Sequence, residues 1–456
     1  MTWSESRPGH YQRRIGENEK FIKAIGDRAH ASGREHWSIT SQASFKVTEP
    51  LQGDDLLTKL SRAWKNLRFE HPSIASTAEE ETLNYVVPDT NALDRWANET
   101  FFVHDENISA GDLIASFKPS PYMTAHYIPK SSQLILHTAH WRTDGFGALQ
   151  LLNAFFEAFC AATSGRDPSS LPWGEEVGRL VPSVEEVLNL PITVTPEIKA
   201  TADRYISTLA HVTGAVGVSY LGDKSTLPSG TRSARLTLSQ PTTRAIFEAC
   251  KARDINVLSA VHASVAAITF AGAPADSKHK HYTSTMRFSL RPYLPEPYNT
   301  PRFASGLYTG GYMFRIPASQ SWTENTRRYN DEYHLGVTRE FLLARRQYAL
   351  DVQSLLRKNP PVDGPPPSEV DISSVDDAEL LVCPVHKSGE EDGGSVEILD
   401  VSIGVETLTR QMYCFVWTFR DQMKFNLVYN EAFYDAIVPL ELLAKLKEVL
   451  QTELHI

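Results

Sequence analysis

The chain reads as a mixed α/β protein, with strand and helix layers in two halves. Apolar strand-like stretches alternate with amphipathic helix patterns along the sequence, and both halves hold the same mixture. The 456 residues, 41% hydrophobic and 22% charged, exceed what one small core requires.

In chain order, Leu57, Leu60, Trp64 and Leu67 recur at helical spacing and predict an amphipathic helix ending before His71-Pro72. Residues 122–128 and 133–139 are strand-like and flank the turn-like Pro129-Lys130-Ser131-Ser132, so they predict a hairpin. Phe146, Leu149, Leu152, Phe156 and Phe159 then share one face, which predicts a helix directly after a strand. From Gly165 onward Pro, Gly and Ser become frequent. The connection is placed at 186–229, leaving 1–185 and 230–456 as the two halves.

The second half opens with a strand at 233–240, followed by helices over 241–253 and 257–270, the latter with a Leu258, Val261, Val265, Ile268 stripe. Strand-like residues 281–290 run into Arg291-Pro292. Residues 358–379 are proline-rich and acidic and predict an exposed, mobile loop. A hairpin is predicted from 412–419 and 423–429, and Leu442, Leu443, Leu446, Val449 and Leu450 mark a last helix.

Net charge is −10, which gives no general attraction to nucleic acid or anionic membranes. The first twenty residues lack the apolar core of a signal peptide, and no uninterrupted apolar run reaches bilayer length, so a cytosolic protein is expected. Cys160, Cys250, Cys383 and Cys414 are dispersed without metal-type spacing, which predicts free, mostly buried thiols.

The string that carries chemistry is His140-Trp141-Arg142-Thr143-Asp144-Gly145, where an apolar strand stops and a helix begins. A neutral imidazole there can take a proton from an alcohol too weak to attack unaided. Asp144 can hold the local backbone or pair with a cation, and Gly145 permits a tight entry into the helix. The bland reading is a hydrogen-bonded turn histidine followed by an N-cap aspartate. The sequence contains no Gly-x-Ser-x-Gly elbow, phosphate-binding loop or His-Glu-x-x-His helix.

With the His140–Gly145 string, residues 63–76, 255–271, 286–295 and 428–435 give the chain a resemblance to the HxxxD coenzyme A-dependent acyltransferase superfamily. That superfamily includes the plant BAHD enzymes and nonribosomal-peptide condensation domains, and the resemblance is nearest to fungal trichothecene O-acetyltransferase-like enzymes. It implies two chloramphenicol-acetyltransferase-like halves with a tunnel between them, His140 as general base and Asp144 as its structural partner. Arg291 looks like the second-half arginine that pairs with this aspartate, with Arg287 the other candidate. The plant Asp-Phe-Gly-Trp-Gly string is absent, and Asp400–Gly404 stands in its place. Ser402 and Trp417 are the oxyanion candidates by resemblance, and Trp141 a tunnel candidate.

The expected activity is O-acyl transfer, foremost O-acetyl transfer, from acyl-coenzyme A to a hydroxyl of a terpenoid or polyketide through a ternary complex. No metal and no tightly bound cofactor are expected, and the protein is expected to be a monomer. Two other readings stay open: a condensation-like enzyme that takes a carrier-protein thioester, and a catalytically silent small-molecule binder.

Overall fold

The computed structural model describes residues 2–48, 54–104, 107–163, 165–358, 365–387 and 395–456. Its centre is a six-stranded sheet ordered Val385–Lys387, Ser395–Val405, Ile39–Val47, Gln133–Thr138, Thr124–Ile128, Phe101–Val103. A four-stranded sheet runs Val370–Asp377, Met412–Phe419, Gln422–Asn430, Thr231–Thr237, and a two-stranded ribbon joins Tyr282–Ser289 to Thr309–Ile316. A second four-stranded sheet packs near the N-terminus.

The helix predicted after the hairpin spans Gly145–Thr163. It is apolar nearly all round, the pattern of a buried helix, and Leu151, Leu152, Phe155 and Phe156 have no exposed surface. Each such side chain contributes about 1.5–3 kcal/mol of burial free energy. This helix has the length and composition to cross a bilayer, unlike the expectation from uninterrupted runs, but it is a core helix with 67% of its apolar window buried in the protein. Beside it, Asp54–Glu70 buries Leu60, Ala63, Trp64 and Leu67 completely. Trp64 stacks on Trp96 at 5.2 Å and donates Nε1–H to Thr100.

The helices Gln240–Ala252 and Val257–Gly272 and the hairpin Met412–Asn430 lie where the sequence put them. One expectation fails. Within the predicted loop 358–379, Val370–Asp377 is a strand pairing in parallel with Met412–Phe419. Acidic residues favour a solvated loop, yet Asp371 is buried between Val370 and Ile372 because an arginine neutralises it. Residues 359–364 of that stretch lie outside the described residues.

The late strand Ser395–Val405 pairs on one side with the preceding Val385–Lys387 and on the other, antiparallel, with the distant Ile39–Val47, from Val396 opposite Val47 to Val405 opposite Ile39. The later part of the chain therefore contributes to both large sheets. A cavity opens where they and the ribbon meet, with Ile39 and Val405 from one sheet, Ile372 and Tyr413 from the other, and Thr285 and Gly311 from the ribbon in its wall. Cys160, Cys250 and Cys414 are buried and Cys383 is exposed, and none of the four is in a disulfide.

Candidate active site

His140 begins a short turn after the strand Gln133–Thr138, and its ring lies in the cavity wall. Its Nδ1 is 2.9 Å from the Thr143 carbonyl oxygen. An oxygen acceptor requires a hydrogen on that nitrogen, so the neutral ring carries its lone pair on Nε2. No described residue bonds Nε2. Burial first of all, and Arg287 nearby, push the His140 pKa down against the opposing influence of Asp144 and the backbone carbonyls, which favours the free-base form.

Asp144 does not touch the imidazole. Its Oδ1 accepts from the Gly147 N–H at 3.0 Å, capping the helix Gly145–Thr163. Arg291 Nη1 lies 2.6 Å from both carboxylate oxygens, and the Tyr308 N–H donates to Oδ2 at 2.8 Å. Arg291 Nη2 continues to the Gly306 carbonyl at 3.1 Å. Both members of the pair are buried, at 4% and 6% side-chain exposure, so the pair ties the His140 turn to the loop before Thr309–Ile316. The choice between the two arginines falls to Arg291; Arg287 pairs with Asp371.

The turn is braced from below by Arg142, whose guanidinium donates to the carbonyls of Ser76 and Pro121 and to Thr138 Oγ1. Burial lowers its pKa to about 10, still far above neutrality. Trp141 faces away into a small cluster with Ile15, Leu83 and Ala139.

The cavity holds about 740 Å³ and brings together His140, Asp144, Gly145, Arg287 and Arg291. It does not include Trp141, Ser402 or Trp417. Ser402 lines a separate space of about 30 Å³ with Thr40, Gln42 and Asn426. Trp417 is buried in the core that surrounds the helix Gly145–Thr163, further along the strand from which Tyr413 and Phe415 reach the cavity. The resemblance selected the right strand at a position beyond the cavity.

Sequence reasoning missed three contributors. Gly147 packs so closely that a Cβ would lie 2.0 Å from the Ala304 carbonyl oxygen and 2.8 Å from Arg291 Nη2. Thr143 Oγ1 donates to that same carbonyl at 2.8 Å. Tyr308 contributes only its backbone N–H to Asp144, which no side-chain pattern announces. The Gly145-Phe146-Gly147 spacing was the one available signal. Among the described residues, Asp27, His30 and Glu35 gather metal-type ligand atoms within 4.8 Å of one another, and they stand outside this cavity.

Comparison with known proteins decides the family. A family model described as 15-O-acetyltransferase Tri3 matches residues 124–285. Acetyltransferase pigO of Monascus ruber is 63% identical over 100% of this chain and 99% of its own length. The chain belongs to the fungal Tri3-like acetyltransferase family. O-acetyltransferase pigM of the same organism is 31% identical over 100% of this chain and 88% of its own length. The solved structure of TRI3 trichothecene 15-O-acetyltransferase from Fusarium sporotrichioides superposes with a TM-score of 0.83 at 18% identity, covering 98% of this chain and 96% of that one, which shows the shared fold. The expectation of a Tri3-like acyltransferase stands, and the chain is an acyl-transfer enzyme.

Proposed function

We propose that this acetyltransferase moves the acetyl group of acetyl-coenzyme A to a hydroxyl of an apolar fungal secondary metabolite, a polyketide or terpenoid alcohol, with His140 as general base. The observation that carries the reading is the imidazole fixed by its Nδ1–H on the Thr143 carbonyl, with Nε2 left for substrate in a large cavity. The aromatic and aliphatic wall, Phe21, Trp37, Phe146, Phe288 and Tyr312 among others, suits an apolar acceptor.

Both substrates meet at His140 in a ternary complex. The acceptor hydroxyl gives its proton to Nε2, the oxygen attacks the thioester carbonyl, and the imidazolium returns the proton to the departing thiolate. No cavity-lining serine has a histidine partner among the described residues, so direct transfer is favoured over an acyl-enzyme. Asp144 and Arg291 hold the turn and take no proton. Both walls of the cavity come from one chain, which supports a monomer, and the proposed location is the cytosol.

The test is acceptor-dependent thiol release from acetyl-coenzyme A, present in the wild-type chain and lost in His140→Ala. A His140→Ala chain at the wild-type rate overturns the role of His140. Free acetyl-coenzyme A, and not a carrier-bound thioester, is the proposed donor, because a net charge of −10 favours no acidic carrier protein. A preference for an acetylated carrier by more than about tenfold in kcat/KM overturns that part.

A further inference from the structure

Arg287 lies on the strand Tyr282–Ser289 directly opposite Gly311 of Thr309–Ile316. Opposed residues of an antiparallel pair point to the same face, so no side chain covers the guanidinium from across the ribbon. A Cβ at Gly311 would lie 2.4 Å from the Met286 carbonyl oxygen, and the close backbone keeps that position bare. Both residues line the His140 cavity.

From behind, the guanidinium is locked. Arg287 Nη2 donates to Asp371 Oδ2 at 2.6 Å and Nη1 to the Ile372 carbonyl at 2.5 Å. The backbone N–H groups of Thr285 and Ile372 occupy Asp371 Oδ1, and the Thr285 hydroxyl also donates to Oδ2. The carboxylate is thus saturated and held in its ionised form: burial opposes this, and Arg287 with these donors outweighs it. Asp371 is 3% exposed while Arg287 keeps 28% of its side chain accessible. The Nε–H and the second hydrogen on each terminal nitrogen have no protein acceptor among the described residues. Donors left unspent inside a protein cost free energy until an oxygen meets them.

We propose that Arg287 is a catalytic residue of the acetyl transfer, donating these hydrogens to the thioester oxygen as negative charge builds on it. This rests on the reading of His140 as the base. The acceptor O–H bond breaks and its proton goes to His140 Nε2. The new O–C bond forms at the thioester carbon, and the carbonyl π pair moves onto oxygen, facing Arg287. On collapse that pair returns, the C–S bond breaks, and the thiolate takes the proton from His140. A cation already fixed in place stabilises this oxyanion more than the neutral carbonyl before it. The role that the resemblance suggested for Ser402 and Trp417 thereby falls to a residue inside the cavity.

The experiment measures thiol release from acetyl-coenzyme A, with water alone and with benzyl alcohol as surrogate acceptor, alongside coenzyme A binding by calorimetry. Arg287→Gln is expected to lower kcat by about 10² to 10³ with both acceptors, with coenzyme A affinity unchanged. Arg287→Lys keeps the charge beside Asp371 but loses the planar fork, and should fall between. Added guanidinium ion should restore part of the rate of Arg287→Ala. If a single variant melts early because Asp371 is left unpaired, Arg287→Gln with Asp371→Asn removes both charges and must show the same kcat loss. A normally melting variant within about threefold of the wild-type kcat overturns the proposal, as does a loss confined to the KM for benzyl alcohol. An Arg287→Lys chain at full rate beside a silent His140→Ala chain removes Arg287 alone; a His140→Ala chain at full rate removes the reading beneath it.

Discussion

The proposed base, His140, can take a proton only while neutral, and burial lowers its pKa. The rate should therefore rise through an acid limb centred below the ordinary imidazole value of about 6.5 and be flat above it. His140→Ala should cost about 10² to 10⁴ in rate and leave the melting temperature unchanged, as measured by thiol release and thermal melting. Arg291→Ala should do the opposite in kind. It leaves the Asp144 carboxylate buried without its cation, which typically costs about 3 to 5 kcal/mol, so melting temperature and rate should drop together. Gly147→Ala forces a Cβ against the Ala304 carbonyl, and overpacking of this sort costs about 1 to 3 kcal/mol in a thermal melt. The placing of His140 and Asp144 on one turn at the cavity was legible because the two lie four positions apart, and the pairing of Asp144 with Arg291 because the resemblance pointed to it. The part of Tyr308 was not, since a backbone N–H leaves no trace in residue identity, and Ser402 lies outside the cavity that Val405 of the same strand lines, because strand membership alone does not fix how far along a strand a cavity reaches.

At the scale of elements, periodicity succeeded wherever an apolar stripe decided the structure. Leu60, Trp64 and Leu67 sit on the buried face that their spacing announced, and Trp64→Ala should cost about 3 to 5 kcal/mol. Thermal melting should register that loss, with kcat per folded molecule retained, because Trp64 is in the core and away from the cavity. Periodicity failed at Val370–Asp377. Its acidic residues resemble a solvated loop until Arg287, more than eighty positions earlier, supplies the charge that allows Asp371 inside. An ion pair across such a separation is a property of the fold and cannot be read from a local window. The same distance hides the pairing of Ser395–Val405 with Ile39–Val47.

For the whole molecule, buried neutral histidines set the response to acid. Burial lowers His36 and His71 to about 4 and His137 and His262 to about 3. Each takes up a proton on unfolding between those values and about 6.5, so stability is full above that range and falls as pH drops through it. Glu35 and Glu369, raised by burial to about 7, act in the reverse sense, losing stability as pH rises through their own range. The histidines outnumber them, and the melting temperature should decline steadily from about pH 6.5 to 4.5; a flat or rising profile would contradict this balance. The strand Ser395–Val405 bears on a different matter, the order in which a ribosome delivers the parts. One edge of Ile39–Val47 stays without its partner until the last tenth or so of the polypeptide is being made. A nascent chain must carry an open strand edge through nearly all of its synthesis, a hazard for aggregation that pairing removes only at the end. Expression of residues 1–394 alone should accordingly give an insoluble product, and supplying 395–456 as a separate peptide during translation should recover part of the soluble fraction.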